Sequence, residues 1–194
     1  MKAKPPAVTE ILSFPSAAEW EEWLDQNHAT SNGIWLHFFK KDSGRKTVSY
    51  AEALDGALCH GWIDGLRKSF DAESFVQKFT PRRPRSMWSK INTGHVDRLH
   101  QLGKMKPAGV AAVEAAKSDG RWQAAYDGPK RAEIPADFLA ELAKNKRAHA
   151  FFQTLNKTNI YSIAWRLQTA RTPEIRARRL KTIVAMMKKG EKFH

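Results

Sequence analysis

Hydrophobic and polar positions recur with two different periods along this chain, and the change of period divides it. After a proline- and lysine-rich opening at residues 1–8, expected to fray, Ser16 and Glu19 carry the signature of a capping box. Trp20, Trp23, Leu24 and Asn27 follow at helical spacing and predict a helix from about Ala17 to Asn27. A polar turn, His28 to Gly33, leads into Ile34-Trp35-Leu36-His37-Phe38-Phe39, whose β-branched and aromatic residues predict a strand beginning at Gly33. Lys40 to Lys46, with Ser43-Gly44, reads as a loop. A second capping box, Ser49 with Glu52, opens a helix through Leu54, Ala57 and Leu58 that ends near His60-Gly61. Trp62 to Leu66 and Phe75 to Thr80 read as two more strands. Asp71 to Ser74 turns the chain between them into an antiparallel pair, which Pro81 and Pro84 stop.

From Ser86 onward the period is helical throughout. Trp88, Ile91, His95, Leu99 and Leu102 mark one face of a helix with Gly94 as its weak point. Pro107 sits in the first turn of the next helix, and Asp119-Gly120 ends it. Pro135 and Asn145 each start a further helix, the second carrying Phe151, Phe152 and Leu155. Ile160, Ile163, Ala164 and Leu167 form another stripe. Thr172-Pro173-Glu174 caps and opens the last helix, which Gly190 ends. The expected fold is α+β: a small, mainly antiparallel sheet flanked by helices over residues 1–125, then a helical region over 126–194 packed on it as one unit. Asp127-Gly128-Pro129 lies at the junction.

Composition narrows the class. At 42% apolar, with seven Trp and ten Phe, the chain has ample material for a core. No stretch approaches the ~18–20 consecutive apolar residues of a membrane span. Val8 to Phe14, broken by Thr9, Glu10 and Ser13, is too short and polar for a secretory signal, so a cytoplasmic setting is expected. The single cysteine, Cys59, excludes an internal disulfide framework and a cysteine-rich zinc site. The net charge is +13 and unevenly spread: 16 basic against 6 acidic residues over 121–194, but 6 against 8 over 1–60. Such asymmetry points to one face meeting phosphate, carboxylate or anionic lipid, with a merely solvated basic surface as the bland alternative.

Trp62-Ile63-Asp64-Gly65, Phe79-Thr80-Pro81-Arg82-Arg83-Pro84, Ser86-Met87-Trp88-Ser89, Gln168-Thr169-Ala170-Arg171 and the run Thr172 to Leu180 together carry a resemblance. The chain resembles, from about Phe14 to Gly190, the bacterial family named for bacteriocin protection, YdeI or OmpD association. His60 and Ile175 stand where that family more usually has an aromatic and a threonine. The resemblance implies a link to envelope stress and survival against antimicrobial peptides, and no particular reaction. A protein of charge +13 repels a cationic bacteriocin, so any protection it implies is indirect.

The strongest chemical candidate is Arg82-Arg83-Pro84-Arg85-Ser86-Met87-Trp88-Ser89-Lys90. Three guanidinium forks before a helix expected to start near Ser86 suit phosphate or carboxylate oxygens, with Ser89 and Lys90 adding donors. Trp88 is either a stacking platform for a base or sugar or, more commonly for tryptophan, a core residue. In the last helix Leu180, Ile183, Val184 and Met187 share a face opposite Arg178, Lys181 and Lys189. Arg176, at the edge of that apolar face, needs a partner. Cys59 and His60, adjacent in a helix, diverge by about 100° and make a poor nucleophile–base pair. The histidines show no metal-ligand spacing, no glycine-rich phosphate loop is present, and no cofactor is expected. Asp64, between strand and turn, is the acid to watch. The expected function is non-catalytic binding of an anionic ligand through Arg82, Arg83, Arg85, Ser86, Trp88, Ser89, Lys90 and Asp64. Nucleic acid or another polyanion comes first and a small anionic ligand second. The alternatives are an enzyme acting on a small phosphorylated or sugar-like substrate, using Asp64 with Arg82 or Arg83, and an interaction protein docking an acidic partner.

Overall fold

Side-chain caps start the first helices where the sequence places them. In a computed structural model that describes residues 10–194, the Ser16 side chain accepts from the Glu19 amide and starts α1 (Ala17–Asn27). Ser49 and Glu52 close a complete capping box at α2 (Tyr50–Cys59). The stretch expected to fray, 1–8, lies outside the described residues. Trp20, Leu24, Ala53 and Ala57 become the buried stripes of these two helices. They pack on one face of a four-stranded sheet.

The sheet has the order β1 (Ile11–Leu12), β2 (Ile34–Phe39), β4 (Ser74–Pro81), β3 (Trp62–Ser69). The expected antiparallel pair is present as β3 and β4, and β2 joins β4 antiparallel as well. The two-residue β1 runs parallel to β2, so the sheet is mixed. Asp71 makes the β3–β4 turn by accepting from the Glu73 amide at 2.8 Å and the Ser74 hydroxyl at 2.6 Å. β3 continues three residues beyond the expected Leu66, after an irregularity between Asp64 and Arg67.

The chain divides into two compact units: residues 1–86 with 92–123, and residues 87–91 with 124–194. The fold is α+β, its C-terminal part helical. In the first unit the core joins Trp20, Leu24, Ile34, Leu36, Phe38, Val48, Trp62 and Phe79. Trp20 also donates its indole N–H to the Ala53 carbonyl at 3.0 Å, so the largest core residue leaves no buried polar atom unsatisfied. Helix α3 (Lys90–Gln101) buries Val96 and Leu99, whereas Ile91 and Leu102 of the expected stripe are 53% and 60% exposed. Helix α4 (Pro107–Ser118) follows, with Pro107 in its first turn.

The second unit is built of α5 (Ala136–Ala143), α6 (Lys146–Gln153), α7 (Lys157–Gln168) and α8 (Pro173–Lys189) around Phe138, Leu142, Phe152, Ile163, Leu167, Ile183 and Met187. Asn145, Asn156 and Thr172 cap the last three of these helices, and Gly190 ends α8 at a φ of 77°. Arg176 finds its partner across this bundle in Asp137, held by two hydrogen bonds from the guanidinium fork. Among the described residues no helix is long and apolar enough to cross a membrane.

Two glycines separate packing from propensity. A Cβ on Gly109 of α4 would stand 2.2 Å from the Cys59 carbonyl oxygen, whereas one on Gly94 of α3 would meet nothing within 4 Å. Gly109→Ala should therefore cost at least ~1–3 kcal/mol by overpacking backbone against backbone. Gly94→Ala should stabilise by up to ~1 kcal/mol by removing a flexible residue from a helix. Thermal unfolding of both variants checks this. A Gly109→Ala protein that melts like the wild type would show that α4 does not lie on the end of α2 as described.

Candidate functional site

The expected arginine cluster sits in a turn and not at a helix start. The Arg82 amide donates to the Gly61 carbonyl at 2.9 Å as the chain leaves β4. The Ser86 amide closes on the Arg83 carbonyl at 3.0 Å, with Arg85 at a φ of 69°, uncommon for a residue that bears a side chain. Helix α3 begins only at Lys90, because Trp88 to Lys90 stay extended and bridge Tyr126. The Tyr126 amide donates to Trp88 O at 3.0 Å, and the Lys90 amide donates to Tyr126 O at 2.9 Å. The row of helix amides expected behind the arginines is thus absent from Ser86. Arg82 is half-buried, Arg83 and Arg85 are exposed, Trp88 and Ser89 are buried, and Lys90 pairs with Asp127 at 2.8 Å. Arg82 to Ser86 belong to the first unit, and Trp88, Ser89 and Lys90 to the second.

Sequence reasoning missed the residue that holds this turn. Arg121 donates from Nη1 to the Ser86 carbonyl at 2.9 Å and from Nη2 to Ala115 O at 3.1 Å. Its Nε meets both Asp119 oxygens, at 2.8 and 2.7 Å. Arg121, as hydrogen-bond donor, holds the Asp119 carboxyl below its ordinary range. Nothing in the local pattern marks this arginine out, since its partners lie up to 35 residues away.

Asp64 does not converge with Arg82 or Arg83. It pairs with Phe79, three register positions before Arg82, or ~10 Å along the strand. Its Oδ2 accepts from the Tyr50 hydroxyl and from Gln77 Nε2, both at 2.9 Å. Burial, together with that carboxylate, pushes the Tyr50 phenol well above its usual range. The Cys59–His60 pair is equally committed elsewhere. His60 Nδ1 faces Gly56 O at 2.8 Å and Nε2 faces Asp25 Oδ1 at 2.9 Å, so neither nitrogen serves the thiol. His60 thereby fills an aromatic-sized position and ties α2 to α1. Burial pushes the Cys59 thiol up to about 11.

What the structure does assemble is an aromatic and basic surface on the other face of the sheet. Because side chains alternate, burial of Ile34, Leu36 and Phe38 sends Trp35, His37 and Phe39 to the outer face, none of which joins the core. The register adds Lys78 opposite Trp35, and Val76 opposite both His37 and Lys68. Lys68 reaches across β4 until its Nζ stands 5.0 Å from the Trp35 ring centre, and the Arg45 guanidinium stands 4.9 Å from that of Phe39. The His37 ring lies 4.6 Å from Phe39 and 4.8 Å from Phe70, which is 53% exposed. His37 Nε2 is buried there with no hydrogen-bond partner among the described residues. A groove of about 650 Å³ adjoins Phe39, lined among others by Lys40, Lys41, Arg45, Lys46 and Tyr50. Lys68 was beyond reach of sequence reasoning because it joins the sheet only through the extension of β3. Trp35, His37 and Phe39 read as strand, but nothing local said which face they take.

Two family models match the chain. One, described as Domain of unknown function (DUF8412), matches residues 12–112. The other, described as Bacteriocin-protection, YdeI or OmpD-Associated, matches residues 131–190. The second supports the resemblance seen in the sequence but is confined to the C-terminal region. The motifs around Trp62, Phe79 and Ser86 fall within the first. No curated protein and no solved structure matches significantly.

The position of Cys59, 6% exposed and with a raised pKa, makes a direct expectation. The native protein should resist alkylation near neutral pH for as long as it stays folded, and react fully once denatured. Rapid modification of the native protein would reopen nucleophilic chemistry at this position.

Proposed function

Starting from a chain that belongs to the DUF8412 family, we propose that it binds single-stranded nucleic acid along the outer face of its sheet without catalysing a reaction on it. The carrying observation is the row Trp35, His37, Phe39 and Phe70 with Lys68 over one end and Arg45 over the other. Rings of this kind accept any base because every base has a π-face, and each stack contributes ~1–3 kcal/mol. Alternate residues of β2 stand ~6.6 Å apart, which lets successive bases of an extended strand meet successive rings. The cations beside the rings neutralise phosphates, and the overall charge of +13 draws a polyanion in from a distance.

In this reading the arginines keep a role. β4 runs antiparallel to β2, so Arg82 and Arg83 follow the end of the sheet opposite to Arg45. Basic groups then stand at both ends of the aromatic row, and Arg82, Arg83 and Arg85 meet backbone phosphates beyond it. A cytoplasmic setting and an indirect part in bacteriocin protection belong to the same proposal. They are supported by the match over 131–190 and by the repulsion expected between this basic protein and a cationic peptide.

Fluorescence titration with a short single-stranded oligonucleotide tests the proposal. Log affinity should fall linearly with log salt, by ~0.7 for each phosphate contacted. Trp35→Ala and Phe39→Ala should each weaken binding by ~1–3 kcal/mol without changing that slope. Arg82→Ala with Arg83→Ala should lower the slope by about one per phosphate lost. No binding at ~50 mM salt, or aromatic variants that bind like wild type, would refute the reading. Binding of an acidic protein with no preference for nucleic acid would favour the interaction-protein alternative.

A further inference from the structure

The groove beside Phe39 differs from the rest of the surface in the sign of its lining. The cleft of the second unit mixes Lys90, Arg131 and Arg176 with Asp127 and Glu133. The depression between α3 and α4 sets Lys117 and His100 against Asp97 and Glu114. The Phe39 groove has Lys40, Lys41, Arg45 and Lys46 and no carboxylate. The loop is shaped for this. Gly44 turns it at a φ of 69°, the Ser43 hydroxyl donates to Lys40 O at 2.8 Å, and the Arg45 amide donates to Ser43 Oγ at 3.2 Å. Lys40 is anchored by donating from Nζ to the Ala72 carbonyl at 2.6 Å, and Arg45 rests on Phe39. Lys41 and Lys46 are exposed and have no ion-pair partner among the described residues. The nearest helix terminus supplies no free amides, because the capping box of Ser49 and Glu52 already closes it. The attraction for an anion therefore comes from the four side chains.

Such a density of uncompensated charge exceeds what one backbone diester, carrying a single negative charge, calls for. It suits a phosphomonoester, with a charge of about −1.5 to −2 at neutral pH and three acceptor oxygens. The groove's volume of about 650 Å³ falls in the range of small-molecule sites, and its walls include Phe39, Phe75 and Tyr50, against which a nucleobase can lie. The Tyr50 hydroxyl is engaged with Asp64, so the ring is held in place. From these features we infer that the groove binds the phosphomonoester of a nucleotide. That nucleotide is either a free mononucleotide or the phosphorylated end of a strand, the latter resting on the nucleic-acid reading above, since Phe39 borders both surfaces.

The test uses the full chain and three probes: an oligonucleotide with hydroxyl ends, the same strand with a terminal phosphate at either end, and adenosine monophosphate. If the groove seats a strand end, one terminal phosphate should tighten binding about tenfold or more, the gain usual for a charge-assisted contact. Lys41→Gln with Lys46→Gln should abolish that gain while leaving the hydroxyl-ended strand within about twofold, and both substitutions lie on exposed positions where folding is little affected. If the ligand is a free nucleotide, the monophosphate should bind to wild type and not to the double variant, with the strands indifferent to their ends. Indifference to the terminal phosphate together with no binding of the monophosphate overturns the inference, as does equal binding by wild type and variant. The hydroxyl-ended strand separates the two claims: if it binds in a Trp35-dependent way when the groove fails, the sheet face stands alone. If only the monophosphate binds, the groove stands and the sheet face falls.

Discussion

A β-strand directs successive side chains to opposite sides, and a single helical layer can cover only one of them. Here α1 and α2 cover the face that carries Ile34, Leu36, Phe38 and Phe79, with Trp20 wedged between helix and sheet. Everything distinctive about the other face follows from that choice. Trp35, His37 and Phe39 cannot enter the same core, and they remain half-buried among long basic side chains. Lysine and arginine stems cover apolar ring surface while their charges stay in water, so this arrangement satisfies the rings without burying a charge. The outer face is therefore stable without a ligand and still offers π-surface and cations to one.

Electrostatics and packing divide their work by place in this protein. Where a cation has a structural task it is paired: Arg121 with Asp119, Arg98 with Asp55, Arg176 with Asp137. Around the loop from Lys40 to Lys46 cations stand together without such partners. Exposed pairs contribute little to stability, so the first group acts mainly to place loops and helices relative to one another within each unit. The second group raises local potential at no structural benefit that the fold reveals, which is the pattern expected of groups kept for an anion.

The reading of the buried polar groups is conservative by comparison. Asp64, which stood out in the sequence, spends its carboxylate on Tyr50 and Gln77. His60 spends both nitrogens on Gly56 and Asp25. Such closed networks define a unique arrangement of α1, α2 and the sheet, and they leave no proton-transfer group facing a substrate. The one polar atom in the aromatic row that lacks a partner, His37 Nε2, lies on the open face and not in the core.

Local chemistry alone determined a good deal. The caps at Ser16, Ser49, Asn145 and Thr172, the β3–β4 hairpin and the ends of α4 and α8 were all legible, because each depends on residues within about four positions of one another. The basic character was legible too, as a sum over residues. The tertiary structure decided what depends on distant neighbours. Trp88 stays extended because Tyr126 pairs with it, which moves the start of α3 from Ser86 to Lys90 and removes the anion site expected there. Lys68 meets Trp35 only because β3 runs on past Leu66 and β4 lies between them. The run from Ile34 to Phe39 is apolar or aromatic at nearly every position, so its pattern has no period to read. Which alternate set faces the helices is settled only when the strands take their register.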